Sequence, residues 1–480
     1  MKPHIALIRG TTADTDGNIS MEREALTVDT LSVAMAAHNS GGLVVAQVER
    51  VADLGTLNPR HVKIPGALVD CIVVATNPDH HMQTIATPYS PAFASEVRVP
   101  LTSLEAMPLD DRKIIARRAA MELRPHSVVN LGVGIPEGVA AVAAEEKCAD
   151  LMTLTAEPGV IGGIPAGGPN FGAATNAQAV IDMPYQFDFY DGGGLDAAFL
   201  GLAEADKEGN LNVSKFGPRL AGAGGFINIS QNAKKIYFLG TFTAGDLEVA
   251  VVDGKLLIER DGRSKKFVNE VEHRTFSGSF AAQNDKEVLY ITERCVFRLT
   301  KEGLELIEIA PGIDIKRDIL DRMDFEPIVR HPREMDPRIF RAEPMGLRED
   351  MLRLPFDARF NYDHDHNILF INLSELTIKT SEIIERYKER IRSIVEPLGH
   401  KVYAVVNYDG FELDRDFEDA YIDALKEVGG RYFLGVTRYA TSAFMRAKLG
   451  DALEKRGVAP HIYESEDEAK GVVRETIPRT

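Results

Sequence analysis

Residues 7–19 (LIRGTTADTDGNI) and 199–211 (FLGLAEADKEGNL) align at one offset, 192, which places Ala13-Asp14 on Ala205-Asp206 and Gly17-Asn18 on Gly209-Asn210. The same offset sets LVVAQVE (43–49) on KIYFLGT (235–241), two runs rich in β-formers. Register held over about 35 residues predicts two related halves. The halves differ in what precedes them. Residues from about Ser103 to Ala198 lie upstream of the second copy, and six residues lie upstream of the first. By this internal symmetry the front of the first half is expected to be missing, as a separate polypeptide or by truncation.

Periodicity supplies the rest of the organisation. DRKIIARRAAMEL (111–123) is predicted as an amphipathic helix, with Ile115, Ala119 and Leu123 recurring every four residues and Arg117 and Arg118 between them. SVVNLGVG reads as a buried strand ending in a glycine turn, and PEGVAAVAAEE as a helix with Pro136 in its first turn. Short strands follow to about Val329. Residues 331–360, with many charges and several prolines, are expected to be a linker. From Asn367 the chain alternates ILFINL, SEIIERYKERIRSIVEPL, KVYAVVNY, FEDAYIDALKEVG, RYFLGVT and TSAFMRAKLGDALEKRG, which predicts a small parallel αβ sandwich. The expected fold class is therefore α/β. Its segments are a remnant of a first half (1–100), a complete second half (101–330), the linker (331–360) and an accessory domain (361–480).

Composition narrows the partners. Seventy-two Asp and Glu outnumber 55 Lys and Arg, a net charge of −17, which argues against nucleic acid and anionic membranes as partners. No apolar run approaches the roughly 20 residues of a membrane span, and no signal-peptide core follows Met1, so a cytoplasmic protein is expected. Cys71, Cys148 and Cys295 are too far apart for a disulfide framework or a zinc site.

Glycine marks the chemistry. Gly132-Val133-Gly134-Ile135-Pro136 joins a strand to a helix, where bare backbone and free N–H groups suit a phosphate, although a tight turn has the same composition. In TLTAEPGVIGGIPAGGPNFG (153–172), Glu157 ends an apolar run and is followed by six glycines. A carboxylate over nearly side-chain-free backbone suits a nucleophile or a general base, with N–H donors left for an oxyanion. YDGGGLD (190–196) and AGAGGFINIS (221–230) add two more glycine loops, and SKFGPR (214–219) between them reads as an exposed basic loop in which Lys215 and Arg219 are the candidate phosphate contacts. DHDH (363–366) and Asp79-His80-His81 lack the convergence a metal needs. Cys295 reads as a small core residue. No G-x-S-x-G motif occurs.

Residues 4–330 resemble a family I CoA-transferase of the propionate/acetate (acyl-CoA:acetate/3-ketoacid) type. The resemblance rests on VNLGVGIPEGVA, MTLTAEPGVIGGIPAGG, FDFYDGGGLDAAFLGLAEADKEGNLNVSKFG, GAGGFINISQNAKKIYFLGTFTAG, YITERCVFRL and EIAPGIDI. It implies two NagB/RpiA-like halves, Glu157 as the nucleophile, and a glutamyl-CoA thioester formed by ping-pong chemistry between a short-chain acyl-CoA and a free carboxylate. It further implies that Gly132, Val133, Gly134, Ile135 and Pro136 contact CoA, and that Gly225 lies beside the thioester where a side chain would clash. Coenzyme A is then a substrate, with no permanently bound cofactor and no metal. A homo-oligomer, or completion by a separate N-terminal-type subunit, is expected. Two departures stand out. Pro158 replaces the family's Ser or Asn after the nucleophile, and the missing front would carry a loop of the oxyanion hole. That loss supports two alternatives, an incomplete CoA-binding or regulatory subunit and an acyl-CoA thioesterase side activity. The C-terminal domain resembles a STAS-like fold only in its alternation.

Overall fold

LVVAQV buries Val44, Ala46 and Val48 and turns the residues between them outward, the two-residue period of a half-buried strand. In the computed structural model this segment is β2 (Leu43–Val48), between β1 (Ile5–Arg9) and β3 (Cys71–Val74) in a parallel sheet. The helix α1 (Thr30–Asn39) buries Ala34 and Ala37 against one face. The model describes residues 2–100, 107–352 and 355–440, with 453, 462–465, 468 and 469. It divides the chain into two compact units, Met1–Met351 and Leu352–Thr480.

The second half of the first unit carries α2 (Asp111–Ala120), β4 (Val128–Leu131), α3 (Glu137–Glu145), β5 (Thr153–Ala156), β6 (Val160–Ile161), α4 (Met183–Asp191), β7 (Ala197–Gly201), α5 (Phe226–Asn232), β8 (Lys235–Leu239), β9 (Glu287–Ile291), β10 (Cys295–Thr300), β11 (Gly303–Ile309) and β12 (Ile328–Glu334). The sheet runs from the short strand Ala179–Val180 through β6, β5, β4, β7, β8, β9, β10 and β11 to β12. Five central strands, β5-β4-β7-β8-β9, are parallel. The chain steps from β4 outward to β5 and then crosses back past β4 to β7, so strand order reverses between β4 and β7, and ligands of open α/β sheets bind outside the carboxyl ends at such a point.

The repeat is structural. Ile5 pairs with Leu43 in the first half and Ala197 with Lys235 in the second, the same register at the offset of 192. The matching turns also agree. Asp14 accepts the N–H groups of Asp16 and Asn18 and the Asn18 amide at 2.9–3.0 Å, and Asp206 does the same for Glu208 and Asn210 at 3.0 Å.

Two expectations are corrected in this unit. Arg117 and Arg118 do not form a polar face of α2, because both are buried. Arg118 pairs with Glu308 (Nε to Oε2, 2.6 Å) and Arg117 with Glu145 (2.9 Å). The second correction follows from the first. Residues 331–351 are not a linker: β12 runs to Glu334, and Met335, Ile339, Phe340, Met345 and Leu347 join the core. Arg117 donates to the carbonyls of Arg341 and Glu343, and Glu146 accepts the N–H groups of Met345, Gly346 and Leu347 at 2.6–3.0 Å. The charges that made this stretch look solvated are used up in pairs such as Arg338 with Asp336 and Asp350.

The C-terminal unit forms a four-stranded sheet, β13 (Phe360–Asp363), β14 (Ile368–Asn372), β15 (Val402–Asn407) and β16 (Phe433–Tyr439), in that order. The sheet is mixed rather than parallel, because β13 and β14 form an antiparallel hairpin across the 363–367 turn. There Asp363 pairs with His366 at 2.8 Å. The remaining pairs are parallel. Helices α6 (Ser381–Val395) and α7 (Glu418–Tyr432) pack Ile384, Tyr387, Ile391, Tyr421, Ile422 and Val428 on the face of Leu369, Ile371, Ala404 and Val406. The third predicted helix, 441–457, lies almost wholly outside the described residues. Among the described residues no helix is long and apolar enough to cross a membrane.

Candidate active site

The buried run of β5 ends at Ala156, and the chain turns at once. Gly159 N–H returns to the Ala156 carbonyl at 3.2 Å, which leaves Glu157 at the carboxyl end of a central parallel strand. Gly159 has φ +121°, and a Cβ there would lie 2.0 Å from the Ile181 carbonyl oxygen, so only glycine fits the turn. Pro158 packs beside Gly172, where a Cβ would lie 3.3 Å from its Cγ. Its fixed φ stiffens the residue after the carboxylate.

The Glu157 carboxylate is desolvated, and burial alone raises its pKa above the usual carboxylate range. No cation among the described residues offsets that burial. Facing it is Gly225, the residue before α5, where a Cβ would lie 2.4 Å from Glu157 Oε2 and 2.6 Å from Phe187 Cζ. A carboxylate oxygen beside a bare α-carbon, with an aromatic edge on the same glycine, is poorly solvated, the chemistry a nucleophile or general base uses.

Residues 132–136 lie at the same end of the sheet, after β4, the strand next to β5. Gly132 N–H binds the Phe199 carbonyl at 2.8 Å, which holds the turn against β7. Gly134 has φ +91° with open space where a Cβ would stand, Val133 is exposed, and Ile135 is half-buried. Pro136 is the residue before α3, and its carbonyl accepts from Val139 at 3.0 Å. Glu137 Oε2 accepts the Gly168 N–H at 2.8 Å, which ties this turn to the glycine loop that follows Glu157.

The structure thus brings Glu157 and Gly225 face to face, with residues 132–136 on the neighbouring strand end. Lys215 and Arg219 do not converge on them as a pair: they lie on a short hairpin, where Lys215 sits 3.6 Å from Glu272 and Arg219 is exposed. Cys295, Glu293 and Arg294 are core, and Arg294 bridges Glu293 and Asp261. Beside Glu293, Lys266 is buried, and desolvation pulls its pKa down to about 8. Sequence reasoning missed Phe187, Gln186 and Tyr190. The signal was their placement on one helical turn inside QFDFYDGGG.

The sequence is similar to known proteins over most of its length. It is 53% identical over 352 residues to the caffeate CoA-transferase of Acetobacterium woodii, covering 72% of this chain and 67% of that protein. The chain belongs to the family I CoA-transferases. It is also 47% identical over 346 residues to acetate CoA-transferase YdiF of Escherichia coli K12 (72% of this chain, 65% of the relative). The beta subunit of an E. coli K12 acetate CoA-transferase matches 218 residues at 31% identity, 43% of this chain and 89% of that subunit. Among solved structures, the acyl-CoA transferase YdiF of E. coli O157:H7, in a thioester complex with CoA, superposes with a TM-score of 0.66 at 46% identity, over 72% of this chain and 65% of that one. A family profile described as malonate decarboxylase, alpha subunit, transporter, matches residues 1–116. The chain spans about two thirds of the length of the caffeate CoA-transferase and of acetate CoA-transferase YdiF.

Proposed function

We propose that this CoA-transferase moves CoA between a short-chain acyl-CoA and a free carboxylate, with Glu157 as the nucleophile. The observation that carries the reading is the desolvated Glu157 carboxylate, without a cationic partner among the described residues, held against the bare α-carbon of Gly225 at the carboxyl end of β5. Glu157 attacks the acyl carbon of the thioester and expels CoA thiolate, giving an acyl-glutamyl anhydride. The thiolate then attacks the Glu157 carbonyl, releasing the first carboxylate and leaving a glutamyl-CoA thioester. The second carboxylate attacks that thioester carbon and expels the thiolate again, now with a second anhydride in place. Attack of the thiolate on the new acyl carbon forms the new acyl-CoA and frees Glu157. One thioester is exchanged for another, so the balance closes without ATP or a metal. Val133, Gly134 and Ile135 offer backbone N–H groups before α3 to the CoA phosphates, while Gly132, whose N–H is held by the Phe199 carbonyl, and Pro136, which has none, shape the turn that contacts CoA.

The first half is completed by further polypeptide, supplied in the same protein or by a subunit. In the second half β4 pairs with the outer edge of β7, whereas among the described residues the equivalent edge, β1, has no neighbour and exposes Ile5 and Leu7. The natural occupant is a parallel strand with a covering helix, of the kind that 107–156 provides to β7.

Intact-protein mass spectrometry after incubation with acetyl-CoA tests the reading. A CoA adduct on the wild type and none on Glu157→Gln is expected. An equal adduct on both proteins, or an adduct mapped to another residue, overturns the assignment of Glu157.

A further inference from the structure

Among the described residues the Glu157 carboxylate has no side-chain anchor, so its position is set by the backbone of its own turn. That backbone is gripped from one side by α4. Gln186, fully buried, places Nε2 at 3.2 Å from the Val160 carbonyl and 3.4 Å from the Ala156 carbonyl, the two carbonyls that bracket Glu157, Pro158 and Gly159. It also donates to Tyr190 Oη at 2.8 Å. Tyr190, one turn further along the helix and likewise buried, hydrogen-bonds Thr155 Oγ1 at 2.7 Å and lies 3.2 Å from Asn130 Oδ1. Thr155 passes its own proton to the Val129 carbonyl at 3.0 Å. Residues on both sides of the turn are thus tied to one helix.

The same helix sets the opposite wall. Between Gln186 and Tyr190, Phe187 meets the face of Gly225. At its last residue, Asp191 accepts the side-chain amides of Asn228 and Asn232 on α5 at 3.0–3.1 Å. The carboxylate and the glycine opposite it are therefore held to a common frame.

The amide nitrogen is the shared donor to the Ala156 and Val160 carbonyls and to Tyr190 Oη, and an apolar side chain of the same shape would leave these buried acceptors without it. We infer that Gln186, supported by Tyr190, is the positioning residue of the nucleophile: it clamps the carbonyls flanking Glu157 so that the carboxylate faces the thioester carbon over Gly225. The inference rests on Glu157 being the nucleophile.

Gln186→Met keeps length and volume and removes the donors. Small misplacements of reacting atoms cost rate steeply, so thioester formation is expected to slow about 10–100-fold while the KM for acetyl-CoA stays within about two-fold. Tyr190→Phe, which leaves Gln186 in place, is expected to slow it by roughly three- to ten-fold. Time-resolved intact mass after mixing with acetyl-CoA, a kcat and KM comparison, and a melting curve for each full-length variant make the test. Slowed adduct formation at unchanged KM, from a variant that melts cooperatively, supports the clamp. Rates within about two-fold of wild type in both variants overturn it. If Gln186→Met does not fold, Tyr190→Phe decides by the same criterion. A wild type that acquires CoA at a residue other than Glu157 overturns the underlying reading and the clamp with it.

Discussion

Two halves of one unit share a register and differ in what covers them. Leu7 and Phe199 occupy the same place in the repeat, yet Leu7 is 78% exposed and Phe199 is 0% exposed. Phe199 lies on β7 between β4 and β8, whereas β1 has a neighbour on one side only among the described residues. The same ladder and the same Asp–Asn turn thus form with and without the covering layer. Local pairing and turn chemistry build the supersecondary unit, and burial is a separate decision made by whatever packs on it. Glu157 and residues 132–136, the proposed nucleophile and CoA contacts, lie in the stretch that precedes the second copy of the repeat.

The sharpest way to break this contrast is Glu157→Gln. If the front segment of the second half holds the chemistry, the variant is expected to lose CoA transfer by at least about 10³-fold. Its stability should respond in a defined direction. The folded-state pKa of Glu157 is raised, so burying its charge opposes folding above its ordinary pKa. Glu157→Gln is then expected to melt higher than wild type at neutral pH, with the gap closing as pH falls through the ordinary glutamate range. Melting temperatures at four or five pH values would read it.

Second in size is the paired truncation across the repeat. Phe199→Ala removes a fully buried ring and is expected to destabilise by about 3–5 kcal/mol, whereas Leu7→Ala stays within about 0.5 kcal/mol. Urea titration of both variants measures the difference. A large loss at Leu7 would mean that the β1 face is already covered in solution.

Gly225→Ala is next. Its Cβ would meet Glu157 Oε2 and Phe187, and transfer is expected to fall roughly 10²-fold. The offset of 192 places Val33 at the equivalent position, where a full side chain is accommodated. Val33→Ala should leave transfer nearly unchanged, and steady-state kinetics of the pair would show the asymmetry.

The smallest effect concerns Lys266, which is buried beside Glu293 in the second half. The folded pKa of about 8 lies below the ordinary 10.5, so between those values the unfolded state binds more protons and stability rises with pH. Lys266→Met is expected to remove that rise, as read by denaturant titration from pH 7.5 to 10.5.

Much of this was legible in the sequence. The register of the two ladders followed from a constant offset, because strand pairing in related units reuses the same spacing. The end of β5 at Glu157 followed from an apolar run broken by a carboxylate and glycines. The strap at 331–351 was not legible, since composition counts Arg and Asp as solvated and cannot show that Arg117 and Glu146 bind the backbone of this stretch. For the same reason Arg117 and Arg118 were read as a helix's polar side when they are its buried anchors. In the C-terminal unit, β13 escaped notice because DHDH looks like a bare turn, and it is the turn of a hairpin whose first strand is polar in part.

What the sequence determined by itself is local: which segments are strands and helices, that two of them repeat, and which carboxylate stands among glycines. Those properties depend on neighbours within a few residues, where side-chain period and backbone freedom are expressed directly. The tertiary structure alone decided that Gly225 faces Glu157, that Gln186 brackets its turn, and that the β7 edge is covered while the β1 edge is open among the described residues. Each of these depends on the crossing of the chain from β5 past β4 to β7. Contacts made by such a crossing join residues far apart along the chain, and no local pattern encodes them.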